Sequence, residues 1–356
     1  MNQRYRRKSS FSRQRFLAVF SLFFLLACQI PSLASVPFLA PSSTPSLTFT
    51  PSLTATSTAT ATLTLTPTET VTQPPTLTPT FSPPARRVLI LSIDGLRPDA
   101  ILPAPMPNLS GLMLRGAFSL GAQTVFPSVT LVSHSSMLSG LCPSKHAVDW
   151  NDYIPERGYA QGTDLFDIAH AAGLRTYMYA GKEKLQQVTE PASLDKFVYV
   201  NDRDLVVAER LIAEFPQDFG VLFVHFPLVD GMGHEYGWLS PEQLSVIRRA
   251  DEALGLLLAE LDARNLRNET LILVSSDHGG HGTSHGGSSP EDMTIPWVAS
   301  GPGIQPKTLT TVVHTIDTAA TAAFALGLPI PAEWDGVPIY EAFGRPIEKQ
   351  SVQCER

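Results

Sequence analysis

The segment Leu271–His285, LILVSSDHGGHGTSH, concentrates side chains able to do chemistry. Four apolar residues and two serines lead into Asp277-His278. Gly279, Gly280 and Gly282 then alternate with His281 and, further on, His285. A short apolar run of this kind reads as a buried strand, and ligands collect just beyond the carboxyl ends of strands in open α/β sheets. A carboxylate and two or three imidazoles delivered there are metal ligands by type. Glycine lets the backbone turn tightly enough for several side chains to face one point. The plainer alternative is a polar loop whose histidines touch only water.

Two further apolar runs end in the same way. Val88–Ile93 leads directly to Asp94, and Val221–Phe226 is followed four residues on by Asp230. Parallel strands would bring all three carboxylates to one edge of a sheet, where they repel unless cations lie among them. Asp230 and His234, in DGMGH, are four apart, so one helical turn puts them on one face. A lone pair of this spacing is weak evidence. Together with Asp277, His278 and a later histidine it supplies ligands for two divalent ions. The mixed Asp/His set suits zinc best, with manganese also compatible.

Two metals about 4 Å apart can clamp the attacking and leaving oxygens of a phosphoryl displacement. The candidate nucleophile is Thr130, in the turn-and-helix segment Phe126–Gly140. As the N-cap of that helix it would lie where backbone N–H groups and the helix dipole favour a negative oxygen. An ordinary capping threonine is the competing interpretation.

These positions need a scaffold. Helices are expected over Met106–Arg115, Asp164–Ala172, Val206–Glu214 and Thr315–Leu326, and strands over Thr176–Tyr179 and Pro296–Ala299. Ser240-Pro241-Glu242-Gln243 opens another helix, with leucines and isoleucine recurring at helical spacing behind it. Strands alternating with helices imply an α/β fold, a largely parallel central sheet with helices on both faces. Residues 86–345 would form one such domain, with 346–356 as a C-terminal tail.

The rest of the chain bounds where that domain works. The formal charge of −7 hides a split: residues 1–15 carry +6 and residues 16–85 carry −1, leaving −12 on residues 86–356. An acidic folded part argues against a nucleic-acid duplex as partner. The basic start and the thirteen-residue, largely apolar run Phe16–Cys28 read as a signal peptide, too short to span a bilayer. Leu25-Leu26-Ala27-Cys28 resembles a bacterial lipoprotein box, so the expectation is an exported protein tethered to a membrane through its N-terminus. A signal anchor or plain secretion is the alternative. Residues 29–85, mostly Ser, Thr, Pro, Ala and Leu, would be a disordered spacer. Cys28, Cys142 and Cys354 are too few for a disulfide scaffold. A Cys142–Cys354 bridge is not expected, because one partner lies near a loose C-terminus.

The chain over about 86–340 resembles the type I phosphodiesterase/nucleotide pyrophosphatase family of the alkaline-phosphatase superfamily. The resemblance rests on SIDGLRPD (92–99), the stretch from Thr130 to His134, SGLCPSKHAVDWN (139–151), DGMGH (230–234) and SSDHG (275–279). It implies an alkaline-phosphatase-like fold, with Asp94, Thr130, Asp277 and His278 on one metal. Asp230, His234 and a last histidine would hold the other. His285, followed by Gly286, is the choice for that histidine, and His281 the alternative. Asn151 matches the asparagine that hydrogen-bonds a phosphoryl oxygen.

Sulfatases share the fold, but threonine stands here in place of their formylglycine precursor and His134 in place of their arginine. Gly181-Lys182-Glu183-Lys184-Leu185 resembles the lysine-bearing segment of phosphonoacetate hydrolases, and makes Lys182 a candidate to bind a substrate carboxylate or phosphoryl oxygen. The expected activity is hydrolysis of a small phosphorylated substrate, at a phosphodiester or pyrophosphate bond, through a phosphothreonine. Carbon–phosphorus or phosphomonoester hydrolysis is the alternative.

Overall fold

The structure, a computed structural model, describes residues 82–347 and 349–355. The expected signal segment with Cys28, and the expected spacer up to residue 81, lie outside the described residues. Among the described residues no helix is long and apolar enough to cross a membrane.

The apolar runs singled out above form the middle of one eight-stranded sheet. Its strands are β1 (Arg87–Ile93), β2 (Ala117–Gln123), β3 (Arg175–Ala180), β4 (Lys196–Tyr199), β5 (Phe219–Phe226), β6 (Thr270–Ser275), β7 (Thr294–Ser300) and β8 (Lys307–Thr308). Their spatial order is β4-β3-β5-β1-β6-β7-β2-β8. The five strands from β4 to β6 in that order run parallel. β7 runs antiparallel to both β6 and β2. The chain between β6 and β7 carries only a four-residue helix in place of a crossover helix. It is given over instead to the loop that holds His278 and His285.

The helices are α1 (Pro107–Arg115), α2 (Thr130–Ser139), α3 (Pro143–His146), α4 (Leu165–Ala171), α5 (Asp204–Ala213), α6 (Leu228–Tyr236), α7 (Pro241–Ala263), α8 (Pro290–Met293) and α9 (Asp317–Leu326). They cover both faces because the strand side chains alternate. Val88, Ile90, Val221, Phe223, Leu271 and Leu273 pack with Leu131 and Val132 of α2, Leu165 and Phe166 of α4, and Ala319 and Ala323 of α9. Leu89, Leu91, Leu222, Val224, Ile272 and Val274 pack on the other face with Leu109 of α1, Val207 of α5 and Ile247 and Leu254 of α7. Strands buried on both faces read as continuous apolar runs, which is why these three stood out in the sequence. β2 and β4 lack that signature: AFSLGAQ and KFVY carry half-exposed, mixed side chains.

α7 begins as expected, with the Ser240 hydroxyl accepting from Gln243 N–H at 3.2 Å. Two expectations are corrected. Val129, with extended backbone, is the N-cap of α2, so Thr130 is the first helical residue and its hydroxyl makes no cap. The cap position requires non-helical backbone, whereas Thr130 already lies within the helix. Cys142 and Cys354 form a disulfide. The C-terminal segment lies against the domain rather than loose, with Ser351 Oγ donating to Asp317 at 3.0 Å. That brings the two thiols together although 212 residues separate them.

Candidate active site

Register decides the site. Ser92 of β1 lies beside both His225 of β5 and Ser275 of β6. The residues just past these positions therefore emerge side by side on one edge. Asp94 leaves β1 with its N–H still bonded to Phe226 O at 3.0 Å. Gly95 follows with φ +74°, and a Cβ there would stand 3.0 Å from Asp230 Cα. Glycine is thus what lets the Asp94 turn approach the helix that carries Asp230.

Each of the three carboxylates has one oxygen held and one without a hydrogen-bond partner. Asp94 Oδ2 accepts from His225 Nε2 at 2.8 Å and from Lys182 Nζ at 2.7 Å. Asp230 Oδ2 accepts from Lys182 Nζ at 2.6 Å. Asp277 Oδ1 accepts from Gly95 N–H at 3.1 Å and from His278 N–H at 3.0 Å. Their other oxygens, Asp94 Oδ1, Asp230 Oδ1 and Asp277 Oδ2, are buried with no partner, as is His278 Nε2. Buried polar atoms left unpaired cost free energy, so four of them on neighbouring residues call for an explanation.

The histidines supply it. His278 Nδ1 faces Gly279 O at 2.8 Å, His234 Nδ1 faces Thr283 O at 2.9 Å, and His285 Nδ1 faces Ser128 O at 2.8 Å. A carbonyl can only accept, so each Nδ1 carries the proton and each Nε2 presents a lone pair. His278 Nε2 lies 3.4 Å from Asp94 Oδ1 and 3.2 Å from Asp277 Oδ2. His234 Nε2 and His285 Nε2 lie 3.4 and 3.5 Å from Asp230 Oδ1. Backbone-anchored imidazoles with lone pairs facing carboxylate oxygens are built to bind cations. Among the described residues two groups could hold an ion: Asp230, His234 and His285, and Asp94, Asp230 and His278. Asp277 Oδ2 borders the second group. The residues therefore fit divalent metal binding.

Thr130 is buried, and its Oγ1 accepts from Lys182 Nζ at 3.2 Å. Asn151 Oδ1 accepts from Leu131 N–H at 2.9 Å and from Lys184 Nζ at 3.1 Å. The carboxamide is thereby tied to the start of α2, beside Thr130. His281 stands apart from the cluster. Its ring is more than half exposed and donates through Nδ1 to Asp292 at 2.7 Å.

Burial opposes the Lys182 ammonium, but Asp94, Asp230 and Asp277 outweigh it and hold its pKa above the usual lysine range. Burial also opposes ionised Asp94. Lys182 and His225 overcome that and keep this carboxyl well below its ordinary value. Asp277 goes the other way, raised by burial and then by the charge of Asp94. A bound cation would reverse that direction.

Sequence reasoning missed three residues that shape the site. His225 lies inside an apolar run and reads there as core. His134 is marked in the sequence only by its register, yet its Nδ1 donates to Thr130 O at 2.7 Å and its Nε2 accepts from Ser92 Oγ at 2.8 Å. Trp238 packs edge-on against His234 and His285 and donates to Gly95 O at 2.9 Å.

A largely parallel sheet with an Asp/His cluster at its carboxyl edge defines an α/β protein of alkaline-phosphatase-like fold. Residues 88–291, more than half of the chain, match the family described as type I phosphodiesterase / nucleotide pyrophosphatase, and the chain belongs to that family. It is 28% identical over 217 residues to an uncharacterized pyrophosphatase/phosphodiesterase of Schizosaccharomyces pombe, covering 54% of this chain and 44% of that protein. It is 28% identical over 225 residues to human ectonucleotide pyrophosphatase/phosphodiesterase family member 5, covering 56% and 46%. A venom phosphodiesterase of Crotalus durissus collilineatus is 28% identical over 218 residues, covering 54% and 26%. The chain thus spans less than half the length of these relatives. Among solved structures, murine ectonucleotide pyrophosphatase/phosphodiesterase 5 superposes with a TM-score of 0.62 at 16% identity, over 72% of this chain and 99% of that one. An inactive threonine-to-alanine variant of the murine protein, in complex with AMP, gives 0.61 at 16% identity, covering 72% of this chain and 98% of that one.

Proposed function

We propose that this protein is an exported, metal-dependent phosphohydrolase that cleaves phosphodiester or pyrophosphate bonds through a phosphothreonine at Thr130. One observation carries the proposal. Lys182 Nζ joins Thr130 Oγ1 to Asp94 Oδ2 and Asp230 Oδ2, while the other oxygens of these two carboxylates, with Asp277 Oδ2 and His278 Nε2, are buried and unpartnered. Asp94, Asp277, His278 and Thr130 would hold one ion, and Asp230, His234 and His285 the other. The donor set favours zinc. When bound, two such ions offset charge on the phosphoryl group and on its attacking and leaving oxygens.

The chain's own groups do the rest. Thr130 Oγ forms a bond to phosphorus while the bond to the leaving oxygen breaks and that oxygen keeps the electron pair. The threonine proton passes to solvent. Lys182 donates to Thr130 Oγ1 and favours the ionised oxygen. Asn151, its carbonyl oxygen already bonded to Leu131 N–H and Lys184, has its NH2 group left to donate to a phosphoryl oxygen. Water then attacks the phosphothreonine and frees Thr130. The threonine-to-alanine substitution in the inactive murine neighbour supports this role, and the AMP bound there suggests a nucleotide-like substrate.

A second reading has one observation in its favour: Lys182 and Lys184 both reach the site. Such a pair suits a carboxylated phosphonate, with hydrolysis of its C–P bond. Export is supported by the Cys142–Cys354 disulfide, which persists in oxidising compartments. Tethering would be through lipidated Cys28.

Turnover of bis-p-nitrophenyl phosphate, a nucleotide p-nitrophenyl ester, p-nitrophenyl phosphate and phosphonoacetate by zinc-loaded protein tests the reading. The diesters are expected to be fastest. Activity confined to phosphonoacetate would establish the second reading instead, and no turnover of any of the four would defeat both.

A further inference from the structure

We infer that His225 is a positioning residue that fixes which oxygen of Asp94 faces the metal. Its ring is fully buried on β5 and is not one of the ligands. The hydrogen-bond pattern is the reverse of that in His234, His278 and His285. His225 Nδ1 faces a donor, the N–H of Gly181, at 3.2 Å. That N–H also reaches the His225 carbonyl at 3.3 Å, so the loop entering Lys182 is held by one residue twice. An N–H can only donate, so Nδ1 bears the lone pair and the proton sits on Nε2. Nε2–H then donates to Asp94 Oδ2 at 2.8 Å.

Two consequences follow. Asp94 Oδ2 receives both His225 and Lys182, at 2.8 and 2.7 Å, and has little capacity left for an ion. Asp94 Oδ1, buried and unpartnered, becomes the donor atom, 3.4 Å from His278 Nε2. The same imidazole also reads the backbone of Gly181, the residue before Lys182. It thus sets the two groups that share Asp94 Oδ2 in relation to each other. A core histidine with satisfied nitrogens would need neither partner to belong to the site.

The inference rests on the metal reading above, and zinc binding separates the two. In a His285→Ala background, which leaves the Asp94 set alone, zinc affinity is measured by competition with a chromophoric chelator. His225→Leu removes both contacts and is expected to weaken zinc about 10- to 100-fold, as loss of a group supporting a metal ligand does. His225→Gln can place an amide N–H near the Nε2 position and should recover most of that loss. His225→Asn can meet Gly181 but falls short of Asp94, and should not. Wild-type-like affinity in the Leu variant, or equal losses in Gln and Asn, would overturn the inference. If the parent protein binds no zinc, the metal reading itself has failed. Should the Leu and Asn variants not fold, the nitrogen shifts of the His225 ring in wild-type protein decide. Protonation at Nε2, with and without zinc, is expected, and a proton on Nδ1 would refute the assignment.

Discussion

His234 Nε2 and His285 Nε2 face each other at 3.1 Å, although 51 residues separate them in the chain. Each ring is committed through Nδ1 to a backbone carbonyl, so two lone pairs point at one space. A cation held by these two rings and Asp230 would remove the repulsion. Removing either His234 or His285 by alanine should therefore lower zinc content by about one ion per chain. His281→Ala should keep both ions, because its ring pairs with Asp292 instead. Elemental analysis of the purified proteins checks this, and loss of an ion only in His281→Ala would reassign the ligand.

Thr130→Ser keeps a hydroxyl beside Lys182 and should retain measurable turnover. Thr130→Ala should lose on the order of a thousandfold in rate, since nucleophile and activation vanish together. Acid quenching of the wild type during turnover should trap phosphate on residue 130. A near-wild-type rate for Thr130→Ala on an activated ester would indicate direct attack by water.

Asp204 accepts from Leu228 N–H at 3.0 Å, at the start of the helix bearing Asp230 and His234, while its Oδ2 is buried and unpartnered. Burial, with the charge of Asp94 adding to it against the Leu228 hydrogen bond, pushes its carboxyl up to about 7. The native state therefore binds more protons than the unfolded chain between about pH 4 and 7. This group's contribution to stability is thus lost as pH rises through that window. Asp204→Asn removes the term, so the variant should gain roughly 1–4 kcal/mol on the wild type between pH 5 and pH 8. Urea unfolding at both values, with chelator present so that no cation offsets Asp94, measures it. A difference that does not change with pH would show that Asp204 ionises normally.

Cys354→Ser should cost about 2–4 kcal/mol of stability, because the disulfide closes a long loop in the unfolded chain. Reductant should lower the Tm of the wild type toward that of the variant and leave the variant unchanged. Equal melting of oxidised wild type and variant would mean that the staple contributes nothing measurable.

Legibility in the sequence followed the physics of each feature. β1, β5 and β6 were visible because strands buried on both faces are apolar throughout, and the aspartates behind them stood out by contrast. The α7 start was visible because Ser240 and Pro241 act locally. β2 and β4 were not, since half-exposed edge-side strands carry mixed side chains. The Cys142–Cys354 bridge is not legible because nothing local shows that the C-terminal segment is held to the domain, as it is by Ser351 on Asp317.

The sequence by itself determined the side-chain types of the candidate site, the strands that deliver Asp94 and Asp277, and the helical turn that joins Asp230 to His234, because these depend on near neighbours and on side-chain chemistry. Tertiary structure alone decided that His285 and not His281 meets His234. It also decided that Lys182 bridges Asp94 and Asp230, and that His225 holds Asp94. Those contacts cross from one strand end or loop to another, where sheet register and loop path set distances that no local pattern encodes.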